Sequence, residues 1–249
     1  MKRITRIALP GAVACWLTLG CGGSKPVVPK TGGLVQIESH PLTIAEPSGL
    51  TINESGTVLW TVGNQLHKVY QLDLRGNPTK VLNYVGEDVE GVEYDPSDAT
   101  LWVVEERRRE VVHLDLNGDV LGRQALAITG DPNSGLEGIC LDAQGRMFVV
   151  NQKDPKLFVS LNPDLSIAGT DTLTFAENYS GLAFSRGENA FWMLSGLSRK
   201  LYLWSKASGV IREYALPFAK PEGVAFNEAG RLMYVVSDSE NRLYVFRLE

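Results

Sequence analysis

Three glutamates share a sequence context that makes them candidates for one common site. Glu90, Glu137 and Glu222 each stand immediately before a glycine, and two further copies of the same motif carry Ser48 and Ser180 at that position. If the local fold required a carboxylate there, all five copies would have one. The mixture of acids and serines therefore indicates that particular copies contribute acids to a shared place.

A second set of polar residues recurs 15 or 16 positions after the first set. It consists of Asn64, Glu106, Gln152, Gly196 and Asp238, of which four can supply a side-chain oxygen. We expect the acids of the two sets to meet, namely Glu90, Glu106, Glu137, Glu222 and Asp238. Further oxygen ligands are expected from Ser48, Asn64, Gln152 and Ser180, with Glu105 and Asn151 as second choices.

Carboxylates that converge on one axis repel each other by several kcal/mol unless they are protonated or paired. No Lys or Arg recurs at the equivalent positions, so we expect these acids to lack basic partners. A hard cation would relieve the repulsion, and an all-oxygen set without His or Cys favours Ca²⁺ or Mg²⁺ over zinc or copper. A wide ring of long glutamates suits the larger Ca²⁺ better. The alternative is that the acids only surround the water-filled mouth of a channel.

The motifs themselves recur at a regular interval along the chain. Their glycines are Gly49, Gly91, Gly138, Gly181 and Gly223, which gives steps of 42, 47, 43 and 42 residues. A period in this range indicates a repeat architecture. A glycine at all five positions is typical of a backbone site that needs a close approach or a positive φ.

Each repeat contains four short segments typical of strands, separated by turn residues. In the second repeat three of them are residues 91–94, 101–104 and 111–114, which are rich in β-branched and aromatic side chains. The fourth is less apolar, as residues 81–84 of the first repeat illustrate. No segment after the first twenty residues has a sustained helical period, so we predict an all-β protein. Four-stranded antiparallel units at this period predict a five-bladed β-propeller over residues 34–249.

The chain ends just after the third strand of the last repeat, which leaves that blade one strand short. Residues 34–38 resemble a fourth strand, so we expect the N-terminal strand to complete the C-terminal blade and cover two open edges. In such a meander the start of the first strand and the end of the second lie at one rim. This geometry would bring both sets of polar residues to one mouth of the central channel.

The first twenty residues differ from the rest of the chain. Lys2, Arg3 and Arg6 precede a 13-residue apolar run, which is short for a membrane span and typical of an export signal. The run leads to a Leu-Gly-Cys sequence that resembles a bacterial lipobox, and Cys21 is therefore the expected lipidated residue. Cys15 is the weaker candidate, and an ordinary cleaved signal or an uncleaved anchor are the alternatives.

These features predict residues 1–20 as a lipoprotein signal peptide and residues 21–33 as a flexible tether. The protein would be attached to the membrane by its lipid, in the bacterial cell envelope and facing the periplasm. Gly22 stands where an aspartate would favour inner-membrane retention, so the outer membrane is preferred.

The charge of the chain bears on its partners. The whole chain has 24 basic and 29 acidic residues; without the three basic residues of the signal, 21 against 29 leaves a net charge of −8. With no basic patch, we expect no nucleic-acid partner. We also expect a monomer that binds an unidentified small molecule or protein. Cys140, the one cysteine after Cys21, is expected to be a buried apolar residue.

Several of these motifs together resemble the SdiA-regulated (YjiK-like) family. The resemblance rests on residues 89–94, 101–107 and 221–226 and covers about residues 34–249. It implies a five-bladed propeller distantly related to NHL-repeat propellers, with Ca²⁺ at the matching glutamates and no established activity. Gln152 and Gly196 depart from the pattern, which weakens one ligand position each.

Two functional hypotheses follow from the sequence. The first is a binding or scaffold module stabilised by calcium. The second is a Ca²⁺-dependent hydrolase of phosphate esters or lactones, in which the ion polarises the substrate and a rim glutamate acts as base. The sequence offers only candidate carboxylates for such a reaction, so whether the protein is an enzyme stays open.

Overall fold

The computed structural model describes residues 33–249. Cys21, the signal and the tether up to residue 32 lie outside the described residues. The described residues form five antiparallel sheets of four strands each, which confirms the predicted all-β, five-bladed propeller. Within residues 33–249, no helix is both long enough and apolar enough to cross a lipid bilayer.

Blades 1 to 4 are meanders whose strands follow in chain order from the central channel outwards, and blade 5 takes its outer strand from the N-terminal end of the described residues. Blade 1 contains β2 (Pro47–Ile52), β3 (Leu59–Gly63), β4 (Lys68–Leu72) and β5 (Pro78–Val85). Blade 2 contains β6 (Val89–Asp95), β7 (Thr100–Glu105), β8 (Glu110–Leu114) and β9 (Val120–Ala125). Blade 3 contains β10 (Leu136–Leu141), β11 (Met147–Asn151), β12 (Leu157–Leu161) and β13 (Ile167–Thr172), with a 3-10 turn at Pro132–Ser134 before it.

The last two blades complete the ring. Blade 4 contains β14 (Gly181–Ser185), β15 (Ala190–Ser195), β16 (Lys200–Ser205) and β17 (Gly209–Ala215). Blade 5 contains β18 (Pro221–Asn227), β19 (Leu232–Ser237), β20 (Arg242–Leu248) and, as its outer strand, β1 (Leu34–Pro41). The predicted closure by the N-terminal strand is therefore confirmed.

Strands β1 and β20 pair along their whole length. Leu34 lies opposite Leu248 and Pro41 lies opposite Arg242, with one register shift between Gln36 and Glu38. This pairing joins the two ends of the described chain and covers the outer edge of β20 and the inner edge of β1.

The core of the molecule is divided into five hydrophobic clusters, each between two neighbouring blades. Fully buried Trp192 lies in the cluster between blades 4 and 5, and Trp60 in the one between blades 1 and 2. Cys140 is buried in the cluster between blades 3 and 4, as expected. Packing on both faces of every blade holds the inner strands β2, β6, β10, β14 and β18 around the channel.

Candidate metal centre

The repeated glycines allow the inner strands to approach each other around the channel axis. A Cβ atom on Gly49 would lie 2.6 Å from the carbonyl oxygen of Glu90, and one on Gly223 would lie 2.5 Å from that of Ser48. Real Cβ atoms do not come so close to a backbone atom, so only glycine fits. The close approach, and not a positive φ, explains the motif glycines, because none of the five has a positive φ.

The same packing brings the residues before the glycines to one mouth of the channel. The structure contains one tight group of possible metal ligands among residues 33–249, formed by Asp88, Glu90 and Glu106. One oxygen from each of these carboxyl groups lies within 4.8 Å of the other two. The three residues are only 5%, 8% and 7% exposed. Carboxyl oxygens at this separation and depth could share one cation.

Local backbone structure explains why these three side chains meet. Glu90 belongs to the inner strand β6, and Glu106 follows the end of its neighbour β7. Asp88 precedes β6, and its carbonyl oxygen accepts a 2.8 Å hydrogen bond from the amide of Glu106. This bond ties the start of β6 to the hairpin after β7. The carboxyl group of Glu106 in turn accepts a 3.1 Å bond from the amide of Gly135 in the next blade.

The electrostatics of this group favour a bound cation or a bound proton. Burial raises the pKa of Glu90 to about 8, and the charges of Glu106 and Asp88 act in the same direction. Burial also raises the pKa of Glu106 to about 7. Without a positive partner, carboxyl groups in such surroundings retain a proton at pH values where free glutamates are ionised.

Glu137 and Glu222 lie at the same mouth but outside the tight group. Burial raises the pKa of Glu137 well above its usual range, and the charges of Glu90, Glu222 and Glu106 contribute to that shift. Burial and the charge of Asp238 raise the pKa of Glu222 to about 7. Both residues immediately precede a motif glycine, as Glu90 does, and therefore occupy equivalent places at the start of their inner strands.

The second set of polar residues plays several different roles. Gln152 Nε2 donates a hydrogen bond to Glu137 Oε1, and Asn64 Nδ2 donates a 2.5 Å hydrogen bond to Glu90 Oε1. Gly196 lies beside Glu222: a Cβ atom at this position would be 3.2 Å from Glu222 Oε1, so a side chain there would crowd the carboxyl group. Of these three contacts only that between Glu137 and Gln152 joins a pair 15 residues apart within one blade; Asn64 and Gly196 instead lie beside the glutamate of the next blade.

Two acids of this mouth have basic partners, contrary to the sequence prediction. Lys220 Nζ lies 2.8 Å from Asp238 Oδ2, and Arg107 Nε lies 2.9 Å from Asp88 Oδ2. The expectation that the acids lack basic partners is wrong for Asp238, because Lys220 stands two residues before Glu222, at a repeat position where no other copy has a basic residue. Asp238 and Asp88 each have a charge partner, so Glu90 and Glu106 are the stronger candidate ligands, and Asp88 differs from Asp238 in belonging to the tight group.

The remaining predicted ligands are buried near the ring. Ser180 Oγ donates a 2.8 Å hydrogen bond to the carbonyl of Pro221. Ser48 Oγ and Asn64 Oδ1 are buried without a hydrogen-bond partner among the described residues. Such buried polar atoms usually have a partner, so these two fit a site that takes a further group.

The two second-choice residues serve the scaffold. Glu105 is 1% exposed and accepts a hydrogen bond from the hydroxyl of Tyr84. Asn151 Nδ2 donates to the carbonyls of Ser134, Lys153 and Pro155. Their side chains are engaged with neighbouring strands and loops.

Sequence reasoning missed Asp88. It lies two residues before Glu90, and the equivalent positions in the other repeats hold Glu46, Gly135, Asn178 and Lys220. This position differs in all five repeats, whereas the position of Glu90 holds only Glu or Ser, so the same comparison among repeats would have shown that the fold does not fix it. The prediction considered only the residue next to each glycine and the end of the second strand.

The chain is similar to one sequence family and to several solved propellers. The sequence profile of the SdiA-regulated family matches residues 34–247. Glutaminyl cyclase from Myxococcus xanthus is 16% identical, with 89% of this chain and 99% of that chain covered and a TM-score of 0.70. A gluconolactonase from Xanthomonas campestris is 12% identical, with 89% and 99% covered and a TM-score of 0.58.

A third solved structure extends the range of activities. Virginiamycin B lyase from Staphylococcus aureus is 16% identical, with 84% of this chain and 73% of that chain covered and a TM-score of 0.51. At these identities the similarity establishes the fold alone, since one propeller fold carries many unrelated functions.

Proposed function

The chain belongs to the SdiA-regulated family, and from this premise we propose that it is a binding propeller that holds a divalent cation at the acidic mouth of its channel. Asp88, Glu90 and Glu106 would be the principal ligands, with Glu137, Glu222 and Asp238 nearby. The observation that carries the proposal is the convergence of three buried carboxyl groups within 4.8 Å.

The donor set supports Ca²⁺ as the ion. All candidate donors are oxygens, and the three carboxyl groups of the tight group together with neighbouring oxygens at the same mouth suit the 6–8 ligands that Ca²⁺ takes. Mg²⁺ is the second choice, because it requires a near-ideal octahedron and usually keeps several waters. The buried oxygens of Ser48 and Asn64 that lack partners could complete the set.

Calorimetric titration of the purified protein with Ca²⁺, and separately with Mg²⁺, tests this proposal. We expect saturable Ca²⁺ binding that is weakened at least about tenfold in Glu90→Gln and in Glu106→Gln, because each change removes a charged ligand. Glu213→Gln is the matched control, since Glu213 lies on the outer strand β17 and pairs with Lys200. Equal affinity in all three variants would reject the proposed ligands.

Attachment to the membrane is a separate part of the proposal. We infer from the sequence that Cys21 carries a lipid and that the propeller faces the periplasm, with the outer membrane preferred. Mass spectrometry of the membrane fraction would detect the modified N-terminus. Cys21→Ser is expected to release the protein to the soluble fraction, whereas Cys15→Ser should stay membrane-bound; the reverse result would assign the anchor to Cys15.

A metal-dependent hydrolase acting at the same mouth is the second candidate. The observation that favours it is the pKa of about 7 of Glu222, which suits a general base at neutral pH. A gluconolactonase is among the similar folds, although that similarity is one of fold. Screening lactones and phosphate esters with and without a chelator tests this candidate. Turnover that requires metal and is lost in Glu222→Gln and Glu137→Gln would favour the enzyme, and metal binding without turnover would favour the binding module.

A further inference from the structure

A large cavity lies at the opposite mouth of the channel from the proposed metal site. Its volume is about 710 Å³, and its wall includes Thr51, Glu93, Tyr94, Phe184, Arg186 and Phe226. At the ring of glycines the free space falls to about 10 Å³. The two mouths are therefore separate sites that do not share a ligand.

The residues two positions after each motif glycine differ among the five blades. Four of the five blades carry a small side chain there, namely Thr51, Cys140, Ala183 and Ala225. The fifth carries Glu93, whose carboxyl group is part of the cavity wall. Glu93 is therefore the one acid at this repeat position.

The carboxyl group of Glu93 is held in a fixed position between blades. Thr51 Oγ1 donates to its Oε2 at 2.7 Å, and the amide of Leu141 donates to its Oε1 at 3.2 Å. These two bonds come from blades 1 and 3 and use only part of the acceptor capacity of a carboxylate. Burial raises the pKa of Glu93 to about 7, because the two hydrogen bonds do not fully offset the loss of hydration of the charged carboxylate.

The other acids of the wall are already engaged with protein partners. Asp142 Oδ2 lies 2.6 Å from Arg146 Nη2, and Glu54 Oε1 lies 3.5 Å from Arg186 Nη1. Glu228 accepts hydrogen bonds from the amides of Arg186 and Gly187. Asp95 and Glu228 each accept three hydrogen bonds, whereas Glu93 accepts two and, unlike Asp142 and Glu54, has no ion pair among the described residues.

Three aromatic rings with fixed positions line the same cavity as this carboxyl group. Tyr94 stacks on Trp60 with ring centroids 4.9 Å apart, and Phe226 meets Trp192 edge to face at 5.8 Å. Phe184 makes a similar contact with Phe191 at 5.2 Å. All three cavity rings are half-buried, so each keeps surface available for a ligand.

We propose that this cavity binds an organic cation, with a protonated amine on the Glu93 carboxylate and an apolar or aromatic body against Tyr94, Phe184 and Phe226. A buried carboxylate supplies the charge, and aromatic faces attract cations as well as apolar surface. The site is independent of the proposed metal site, so either proposal can fail without the other.

Calorimetric titration with 2-phenylethylammonium at a pH of about 8, with the metal removed and again with Ca²⁺ present, tests the inference on the full chain. The neutral isostere 2-phenylethanol is the ligand control. We expect the amine to bind at least about tenfold more tightly than the alcohol, which is the effect of one well-placed charge pair. Equal binding of the two, or no saturable binding of the amine, would overturn the proposal.

Two variants locate the binding site. Glu93→Gln keeps the size of the side chain and should weaken amine binding at least about tenfold. Arg186→Gln removes an exposed cation from the same wall and should strengthen amine binding, by about two- to fivefold. Glu213→Gln is the matched control and should bind as the unmodified protein does. Unchanged affinity in both Glu93→Gln and Arg186→Gln would place the amine elsewhere and overturn the assignment.

Discussion

Buried carboxyl groups without enough positive charge make the acidic mouth sensitive to pH. In the folded, metal-free protein the pKa is about 8 for Glu90 and about 7 for Glu106 and Glu222, against 4.5 for a free glutamate. At pH values between 4.5 and these raised pKa values, the folded protein binds more protons than the unfolded chain. Its stability must therefore fall as pH rises through this window.

We predict that with a chelator present the free energy of unfolding decreases as pH rises from about 4.5 to about 8, by more than 1 kcal/mol in total. The reason is that these carboxyl groups must ionise in surroundings that oppose their charge. Denaturant unfolding at a series of pH values measures the effect. Glu90→Gln should flatten the dependence, and added Ca²⁺ should restore stability most at high pH. A stability that rises across this window in the chelated protein would contradict the assignment of raised pKa values.

At the scale of the element, the inner strands depend on glycine for their distance from the axis. Each motif glycine faces the backbone of the next inner strand, as Gly49 faces Glu90 and Gly223 faces Ser48. The contact is between backbones, so a neighbouring side chain cannot rotate away to make space. The same contact sets how closely the metal-binding side chains approach each other.

We predict that Gly49→Ala destabilises the protein by about 1 to 3 kcal/mol, because its Cβ atom would lie 2.6 Å from both Glu90 O and Gly91 Cα. It should also weaken Ca²⁺ binding, since relief of the clash moves β6. Thermal unfolding and calorimetry measure the two effects. Gly122→Ala on the outer strand β9 is the control, because a Cβ atom there meets nothing within 4 Å. Similar stabilities of the two variants would show that the glycine ring can expand freely.

At the scale of the whole molecule, the ring is closed by hydrogen bonds between β1 and β20. The five interblade clusters depend on this closure, because an open ring would expose the outer edge of β20 and loosen the packing of blade 5 against its neighbours. Closure by non-local pairing thus stabilises both mouths of the channel.

We predict that a protein beginning at residue 42 unfolds at a temperature lower by more than about 10 °C than one beginning at residue 33, and that it aggregates. The reason is the loss of all pairing between β1 and β20. Thermal unfolding followed by circular dichroism, together with light scattering, measures both effects. If the two proteins unfold at the same temperature, β1 does not contribute to closure.

The sequence alone was sufficient to predict the fold, because each repeat of about 43 residues contains the strand and turn patterns of one complete blade. The spacing of the five glycines, the alternation within each strand and the incomplete last repeat led to five blades and to closure by β1, all of which the structure confirms. The same repeats indicated which residues stand at one rim, since residues at equivalent repeat positions occupy equivalent places in a propeller.

Tertiary structure decided what the repeats could not show. The group of Asp88, Glu90 and Glu106, the pairing of Lys220 with Asp238 and the cavity before Glu93 depend on loops and on the directions of individual side chains. These are fixed by packing between blades, where residues distant in the chain become neighbours. A periodic sequence specifies where each strand lies, but the distance between two carboxyl groups depends on how neighbouring blades pack.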